Sequence, residues 1–188
     1  MFRRGHHRAC GAGLLALAAL CGCTSANTTL ARPSNPTAQQ DVEVPVENAD
    51  IVAVSKFFNV NPWLCFDGDG SGRVDGVRFA LYLQPASGAK GVFGTGTIVA
   101  QMYRLDRDEN RREQPMLVQE WQFSPEKAYA FRAKKKSALG WGYGFRLRWD
   151  KDLDVEGRQV VFVIKYIRDD GRVVASSRQP AQVPVHGE

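Results

Sequence analysis

The sequence has little of what most catalytic sites need, beginning with histidine. It contains three histidines, of which His6 and His7 lie near the first residue and His186 lies two residues from the last. A Ser-His-Asp or Cys-His arrangement, or a common zinc site, needs a firmly held histidine, and a chain end rarely provides one. The glycine-rich nucleotide-binding fingerprints, His-Glu-x-x-His and Gly-x-Ser-x-Gly, are also missing. These absences weaken an enzymatic interpretation, although carboxylate chemistry survives them.

Cysteine is scarce as well, and three of the four cysteines fall within the first 23 residues. Cys65 is alone in the remaining sequence, so residues 24–188 cannot form a disulfide among themselves. A lone thiol in an oxidising compartment is safest when it is buried, and the neighbours Trp63, Leu64 and Phe66 are apolar. We therefore predict that Cys65 is a small core residue. A reactive thiol or an intermolecular disulfide is the alternative.

The first 23 residues follow the pattern of a secretory signal. A basic start with Arg3, Arg4 and Arg8 precedes an apolar run that ends at Leu20. The sequence Leu20-Cys21-Gly22-Cys23 then resembles the lipobox of bacterial lipoproteins. The resemblance implies that residues 1–22 are a signal peptide, that Cys23 carries the acyl chains, and that the chain is held on a membrane.

This interpretation changes the charge balance. Without residues 1–22, 166 residues remain, with 22 basic and 20 acidic residues, and the net charge falls from +5 to +2. The excess positive charge is the main indication of a nucleic-acid partner, and with the charge reduced we expect no such partner. In Gram-negative lipoproteins an aspartate after the acylated cysteine favours inner-membrane retention, so by that resemblance Thr24 implies the periplasmic face of the outer membrane. The overall pattern also resembles small lipoproteins of planctomycete-type bacteria. That resemblance supplies no activity that could be expected of this chain.

Residues 23–46 are predicted to be the lipidated cysteine and a flexible linker. Few large apolar residues occur there, and three prolines lie among Ser, Asn, Thr and Gln, so little surface can be buried to offset the ordering entropy. A flexible chain of this length would hold a domain some 25 Å from the bilayer, at roughly 5–6 Å per square root of residue number. The folded domain is predicted over residues 47–186.

Period-two alternation dominates that domain and predicts strands. The expected strands cover 51–58, 77–84, 97–104, 116–123, 141–149, 159–168 and 173–185, with a turn at 59–62. Residues 159–168 are apolar on both faces, as in a central strand. Ser124-Pro125-Glu126 predicts a helix of one or two turns, and Asp169-Asp170-Gly171-Arg172 predicts a hairpin.

About seven short strands with one short helix favour an all-β fold, an Ig-like β-sandwich. A small closed barrel of strands is the alternative. No Cys…Trp…Cys pattern occurs, so the likeness to immunoglobulin domains extends to architecture alone.

The sharpest local motif runs from Asp67 to Gly76 and resembles the calcium loops of EF-hands, dockerins and thrombospondin type-3 repeats. Calcium takes six or more oxygen ligands, which alternate residues of a tight loop can supply. By that resemblance the ligands are Asp67, Asp69, Ser71, the carbonyl of Arg73, and Asp75. The final glutamate position holds Arg78, and the alternative is a glycine-rich turn between two strands.

A second candidate site is the basic run Lys134, Lys135 and Lys136, which is followed by Trp141. Lysines beside an exposed aromatic residue are typical of sites for anionic glycans, lipid headgroups or phosphate-rich polymers. The alternative is a solvated loop before a strand whose aromatic side chains face the core.

The remaining candidate is an acidic group at Asp150, Asp152, Asp154 and Glu156. An acid/base pair needs burial to separate its two pKa values, and nothing near these residues indicates burial.

The sequence therefore favours a lipid-anchored envelope protein with a binding or structural role, with an envelope glycan or protein as partner and no catalysis. The alternatives are a calcium-assisted or carboxylate-based hydrolase of envelope polysaccharide and a basic-patch binder of anionic glycans.

Overall fold

A computed structural model describes residues 45, 47–66, 72–88, 90–107, 109 and 112–185. They belong to one compact unit, Val42–Glu188. In chain order their elements are β1 (Glu47–Asn48), β2 (Ile51–Leu64), β3 (Gly76–Pro85), β4 (Phe93–Gly94), β5 (Thr97–Arg107), β6 (Glu113–Phe123), α1 (Pro125–Tyr129), β7 (Tyr143–Arg148), β8 (Gln159–Ile167), β9 (Val173–Ala175) and β10 (Gln179–Gln182).

The strands form two main sheets. The smaller sheet has the antiparallel order β2-β3-β7. The larger has the order β10-β8-β5-β6, and β9 pairs with the same edge of β8 as β10 does, nearer its end. β1 and β4 add a short parallel pair. The sheets are distinct, so the predicted all-β sandwich is confirmed.

The core lies between the two sheets because one face of each strand is apolar. On β3 and β7 the alternate residues Val77, Phe79, Leu81, Tyr143, Phe145 and Leu147 are buried. They face the inner residues of the larger sheet, which are Ile98, Ala100, Met102, Val160, Phe162, Ile164 and Tyr166. Phe58 of the smaller sheet meets Phe162 of the larger one at a ring-centroid distance of 5.8 Å.

Two features, α1 and the hairpin between β8 and β9, form where short sequence motifs predict them. Ser124 caps α1, its Oγ accepting a hydrogen bond from the backbone N–H of Lys127, and a proline occupies the first turn. The hairpin between β8 and β9 turns at Gly171, whose φ is +81°, a value that glycine adopts without strain. Both predictions are confirmed.

The predicted turn at residues 59–62 is wrong, since β2 continues through it. The pairing of β2 with β3 slips between Phe58 and Trp63, so the four intervening residues bulge without ending the strand. The side chain of Arg78 binds this bulge through two hydrogen bonds to the carbonyl of Asn61, at 3.1 and 2.9 Å. A bulge absorbs the Asn and Pro residues that otherwise indicate a turn.

The prediction that Cys65 is a core residue is also wrong, because its side chain is exposed. β2 ends at Leu64, and the chain leaves the sheet there, so the apolar neighbours of Cys65 do not enclose it. Its Sγ donates a hydrogen bond to the carbonyl of Gly72 at 3.2 Å.

The last predicted strand, 173–185, is divided into β9 and β10. Residues 176–178 separate them, and Ser176 still donates its backbone N–H to the carbonyl of Ile164 in β8 at 2.8 Å. This break lies beside the central strand β8 and shapes the site described next.

Candidate ligand groove

The outer face of the larger sheet carries apolar side chains where a sheet facing water usually carries polar ones. β5 and β8 present Tyr103, Leu105, Val161 and Val163 on this face. The two valines are buried although no second layer among the described residues covers them. β8 is thus a central strand with apolar residues on both faces, as its sequence predicts, but one of these faces lines an open groove.

One wall of the groove comes from a register shift in β6. Met102 of β5 pairs with Gln119, whereas Tyr103 pairs with Leu117, so Val118 is an extra residue on β6. A bulge of this kind bends its strand and increases the local twist. Beyond it, Glu113 and Pro115 form the wall.

The opposite wall comes from the break between β9 and β10, where Ala175, Ser176 and Arg178 line the groove. The volume of the groove is about 410 Å³, within the range of small-molecule sites. Its floor is made by Tyr103, Leu105, Val161 and Val163.

Two cationic side chains stand at the β8–β9 side of the groove. Lys165 pairs with Ala175 across the ladder, and Arg178 follows two residues after Ser176. Neither cation forms an ion pair with any residue that the structure describes. Glu113 supplies a negative charge at the far wall. The groove is therefore amphiphilic, with an apolar floor and a positive side.

Behind this wall lies the buried ammonium group of Lys56, on the inward face of β2. Its Nζ donates hydrogen bonds to Ser176 Oγ, at 3.3 Å, and to the carbonyl of Ser177. Ser176 Oγ also accepts a hydrogen bond from the backbone N–H of Ile164 at 3.0 Å. Burial of the ammonium group lowers the pKa of Lys56. These bonds fix the chain at the break and hold the wall in place.

Sequence reasoning missed this groove. A usable signal for Lys56 was its spacing, because it lies on the same strand face as Val54 and Phe58 and therefore points inward. No comparable signal marks Val118 or Ser176, since each depends on pairing between strands that are distant in sequence.

Three of the predicted calcium ligands, Asp67, Asp69 and Ser71, lie outside the described residues. Arg73 pairs with Glu156 at 3.4 Å. Asp75 is buried, at 4% exposure. One of its oxygens accepts a hydrogen bond from the backbone N–H of Phe66 at 2.6 Å, and the other lies 3.0 Å from Nε of Arg148.

This placement gives Asp75 a structural role at the ends of the loop. Its carboxylate links Phe66 to Arg148 of β7. Calcium binding by this loop stays a prediction, and Asp75 would have to leave these partners to act as a side-chain ligand.

The predicted basic site lies on an exposed stretch before β7. Lys134, Lys135 and Lys136 are all exposed. Trp141 is half-buried, and its ring packs on Phe93 at a centroid distance of 5.6 Å. The three lysines are thus accessible, while Trp141 belongs partly to the core instead of standing free beside them.

The acidic group lies on the loop between β7 and β8. Asp154 is exposed and lies 3.5 Å from both Arg104 and Arg158, and Glu156 pairs with Arg73. Asp150 and Asp152 are exposed. The arrangement stabilises loop ends and places no buried carboxylate pair here.

Among the residues that the structure describes, no group of three or more His, Cys, Asp or Glu side chains is placed to hold a metal ion. The same residues include no helix that is long and apolar enough to span a bilayer. No protein-family model matches the chain, and no curated protein sequence matches it.

Proposed function

We propose that this chain is a lipid-anchored protein of the cell envelope whose β-sandwich binds a small anionic amphiphile without chemical change. The anchor is supported by Leu20-Cys21-Gly22-Cys23 and the basic, apolar segment before it. Acylation there would hold the domain on a membrane firmly, because each buried methylene contributes about 0.8 kcal/mol. The outer membrane, on its periplasmic face, is the proposed location.

The observation that carries the binding role is the groove on the outer face of the larger sheet. Its floor of Tyr103, Leu105, Val161 and Val163 suits a hydrocarbon chain. Lys165 and Arg178, which lack an ion-pair partner in the described part of the chain, suit a carboxylate or phosphate head group. The ligand class is therefore an acyl chain with an anionic head.

A non-catalytic role is supported by the state of the hydroxyl group in the groove. Ser176 Oγ already accepts hydrogen bonds from the Ile164 N–H and the Lys56 ammonium group. A nucleophile needs a free lone pair directed at the substrate, together with a base able to take its proton. Here the lysine donates to two oxygens and stabilises the fold of the break.

The test is a titration of the Cys23→Ser chain with decanoate and with decanol. We expect decanoate to bind more tightly than decanol, because only the carboxylate meets the two cations. Replacing Lys165 and Arg178 by Gln should weaken decanoate binding by about tenfold or more and leave decanol nearly unchanged. Changing Arg146 and Arg172 together to Gln, both of which lie outside the groove lining, is the matched control for charge.

Equal binding of decanoate by the parent chain and the double variant would contradict the proposal. So would binding of an extended peptide but not of either decyl compound, since the groove would then be a protein-docking surface.

A further inference from the structure

A second surface, at the start of β7, has a different composition from the groove. We call it the basic tip and define it as residues 133–140, which run Ala-Lys-Lys-Lys-Ser-Ala-Leu-Gly. Every residue of this stretch except Gly140 is exposed. Leu139 stands out because 49% of a large apolar side chain faces solvent at the end of the turn.

The turn that presents Leu139 is fixed by the backbone. Ser137 and Gly140 exchange two N–H to carbonyl hydrogen bonds, both at 3.0 Å. The Oγ of Ser137 also accepts a hydrogen bond from the N–H of Leu139 at 3.2 Å and donates one to the carbonyl of Gly140. Ala138 and Leu139 therefore form the two-residue end of a tight turn.

The rest of the domain holds the turn in place on one side. Gly91 donates a hydrogen bond to the carbonyl of Leu139 at 2.7 Å and accepts one from Trp141 at 2.8 Å. This contact places the exposed Lys90, which precedes Gly91, next to the tip. An apolar side chain on a firmly held turn loses little conformational entropy when it is buried against a partner.

The sequence around the turn carries charge of one sign, although the guanidinium group of Arg132 upstream is paired with Glu47. No aspartate or glutamate occurs between Glu126 and Asp150, while Lys134, Lys135 and Lys136 directly precede the turn. Upstream, Tyr129 is 68% exposed, and the guanidinium group of Arg132 lies over its ring at 4.9 Å. The surface thus combines exposed apolar and aromatic side chains with several cations.

We propose that the basic tip binds the surface of an anionic bilayer, with Leu139 inserted at the headgroup level and the three lysines against the anionic lipids. Apolar and aromatic side chains at the interface, flanked by lysines, are the combination that favours such a surface. The long methylene stems of lysine also allow the ammonium groups to stay wet while Leu139 is buried. An anionic glycan would use the charges but not the exposed leucine.

This inference goes beyond the proposed function, since it holds whether or not Cys23 is acylated or the groove binds a ligand. It predicts which end of the domain meets the membrane.

The test uses the Cys23→Ser chain, so that no acyl chain contributes, and measures its cosedimentation with lipid vesicles. Vesicles of phosphatidylcholine mixed with phosphatidylglycerol should bind the chain, and vesicles of phosphatidylcholine alone should bind it much less. Changing Lys134, Lys135 and Lys136 together to Gln should weaken binding to the anionic vesicles by roughly a hundredfold.

Two further variants separate insertion from net charge. Leu139→Ser should weaken binding to the anionic vesicles by about tenfold, because an interfacial apolar contact is lost. Changing Arg107, Arg146 and Arg172 together to Gln removes the same charge elsewhere and should alter binding by less than about threefold. Thermal unfolding of each variant checks that the fold is kept.

Three results would overturn the proposal. The lysine variant could bind as its parent does, the arginine variant could lose binding equally, or Leu139→Ser could have no effect. A chain that binds dextran sulfate but no vesicle would assign the surface to anionic glycans instead.

Discussion

At the scale of single residues, two charged side chains, those of Lys56 and Asp75, are buried. Lys56 occupies an inward position on β2 and binds the break between β9 and β10 through Ser176 and Ser177. Asp75 joins the chain at Phe66 to the side chain of Arg148. Both side chains bind irregular segments of the backbone. The N–H and C=O groups of such segments are not paired within a sheet and still need hydrogen-bond partners. The hydrogen bonds of Lys56 account for its burial, whereas among the described residues Oδ2 of Asp75 has only the ion pair with Arg148.

Lys56 gives the stability of the domain a specific pH dependence. Burial lowers the pKa of Lys56 in the folded chain, whereas in the unfolded chain it is about 10.4. Between those two values the unfolded chain holds a proton that the folded chain has released, so the contribution of Lys56 to stability increases as the pH rises. Lys56→Met should remove this increase, as urea unfolding at about pH 7 and about pH 10 would measure.

The comparison of parent and variant isolates Lys56 from other groups. Burial raises the pKa of Tyr143, which acts in the opposite direction at high pH but equally in both chains. An identical pH dependence in the two chains would contradict the role given to Lys56.

Substitution of Asp75 distinguishes a structural role of this residue from a role in calcium binding. Asp75→Ala should destabilise the domain by about 2–3 kcal/mol, because the N–H of Phe66 loses its acceptor. We expect this loss to be the same in calcium and in chelator if Asp75 acts only through the chain. Melting temperatures of the parent and the variant under both conditions measure it. A parent that melts at the same temperature in millimolar calcium as in chelator would remove the calcium loop from the account.

At the scale of elements, the sequence predicts alternation well and irregularity poorly. β3, β7 and β8 follow from side-chain period, and α1 follows from Ser124 and Pro125. The bulge at residues 59–62 carries the composition of a turn, but β2 continues on both sides of it, and the side chain of Arg78 binds the carbonyl of Asn61 within it. The groove depends on similar slips in β6 and after β9. Such slips are set by pairing between distant strands, which a single sequence does not show.

The turn of the basic tip depends on Gly140. Its φ is +99°, and a Cβ placed there would lie 2.5 Å from the backbone N of Gly91. Gly140→Ala should therefore destabilise the domain by about 2 kcal/mol or more, measured by chemical denaturation. Gly144→Ala is the matched control, because a Cβ there meets nothing within 4 Å. Equal stability of the two variants would show that the turn is not held as described.

At the scale of the whole molecule, the sandwich carries two surfaces in addition to the proposed anchor at Cys23. The groove lies on the outer face of the larger sheet, and the basic tip precedes β7 of the smaller one. The sequence predicted the sandwich and the lysines of the tip. It did not predict the groove, because a strand such as β8 that is apolar on both faces is expected to be covered by another layer of the protein.

Cys23→Ser should release the chain from the membrane fraction of the producing cell after a wash in about 1 M salt, which screens the attraction between the lysines of the basic tip and anionic lipids. The physical reason is the loss of the acyl chains, whose burial contributes about 0.8 kcal/mol per methylene. Fractionation followed by immunodetection measures the change, and Cys65→Ser, which leaves the proposed acylation site intact, is the control. Membrane association that both variants retain would contradict the anchor.

The central claim is that the outer-face groove binds an anionic amphiphile. Its most direct measurement is a titration of the ¹⁵N-labelled Cys23→Ser chain with decanoate, followed by amide NMR. The account predicts that the shifts concentrate at Tyr103, Val161, Val163 and the break around Ser176. Shifts confined to residues 133–140, or no shifts at all, would contradict it.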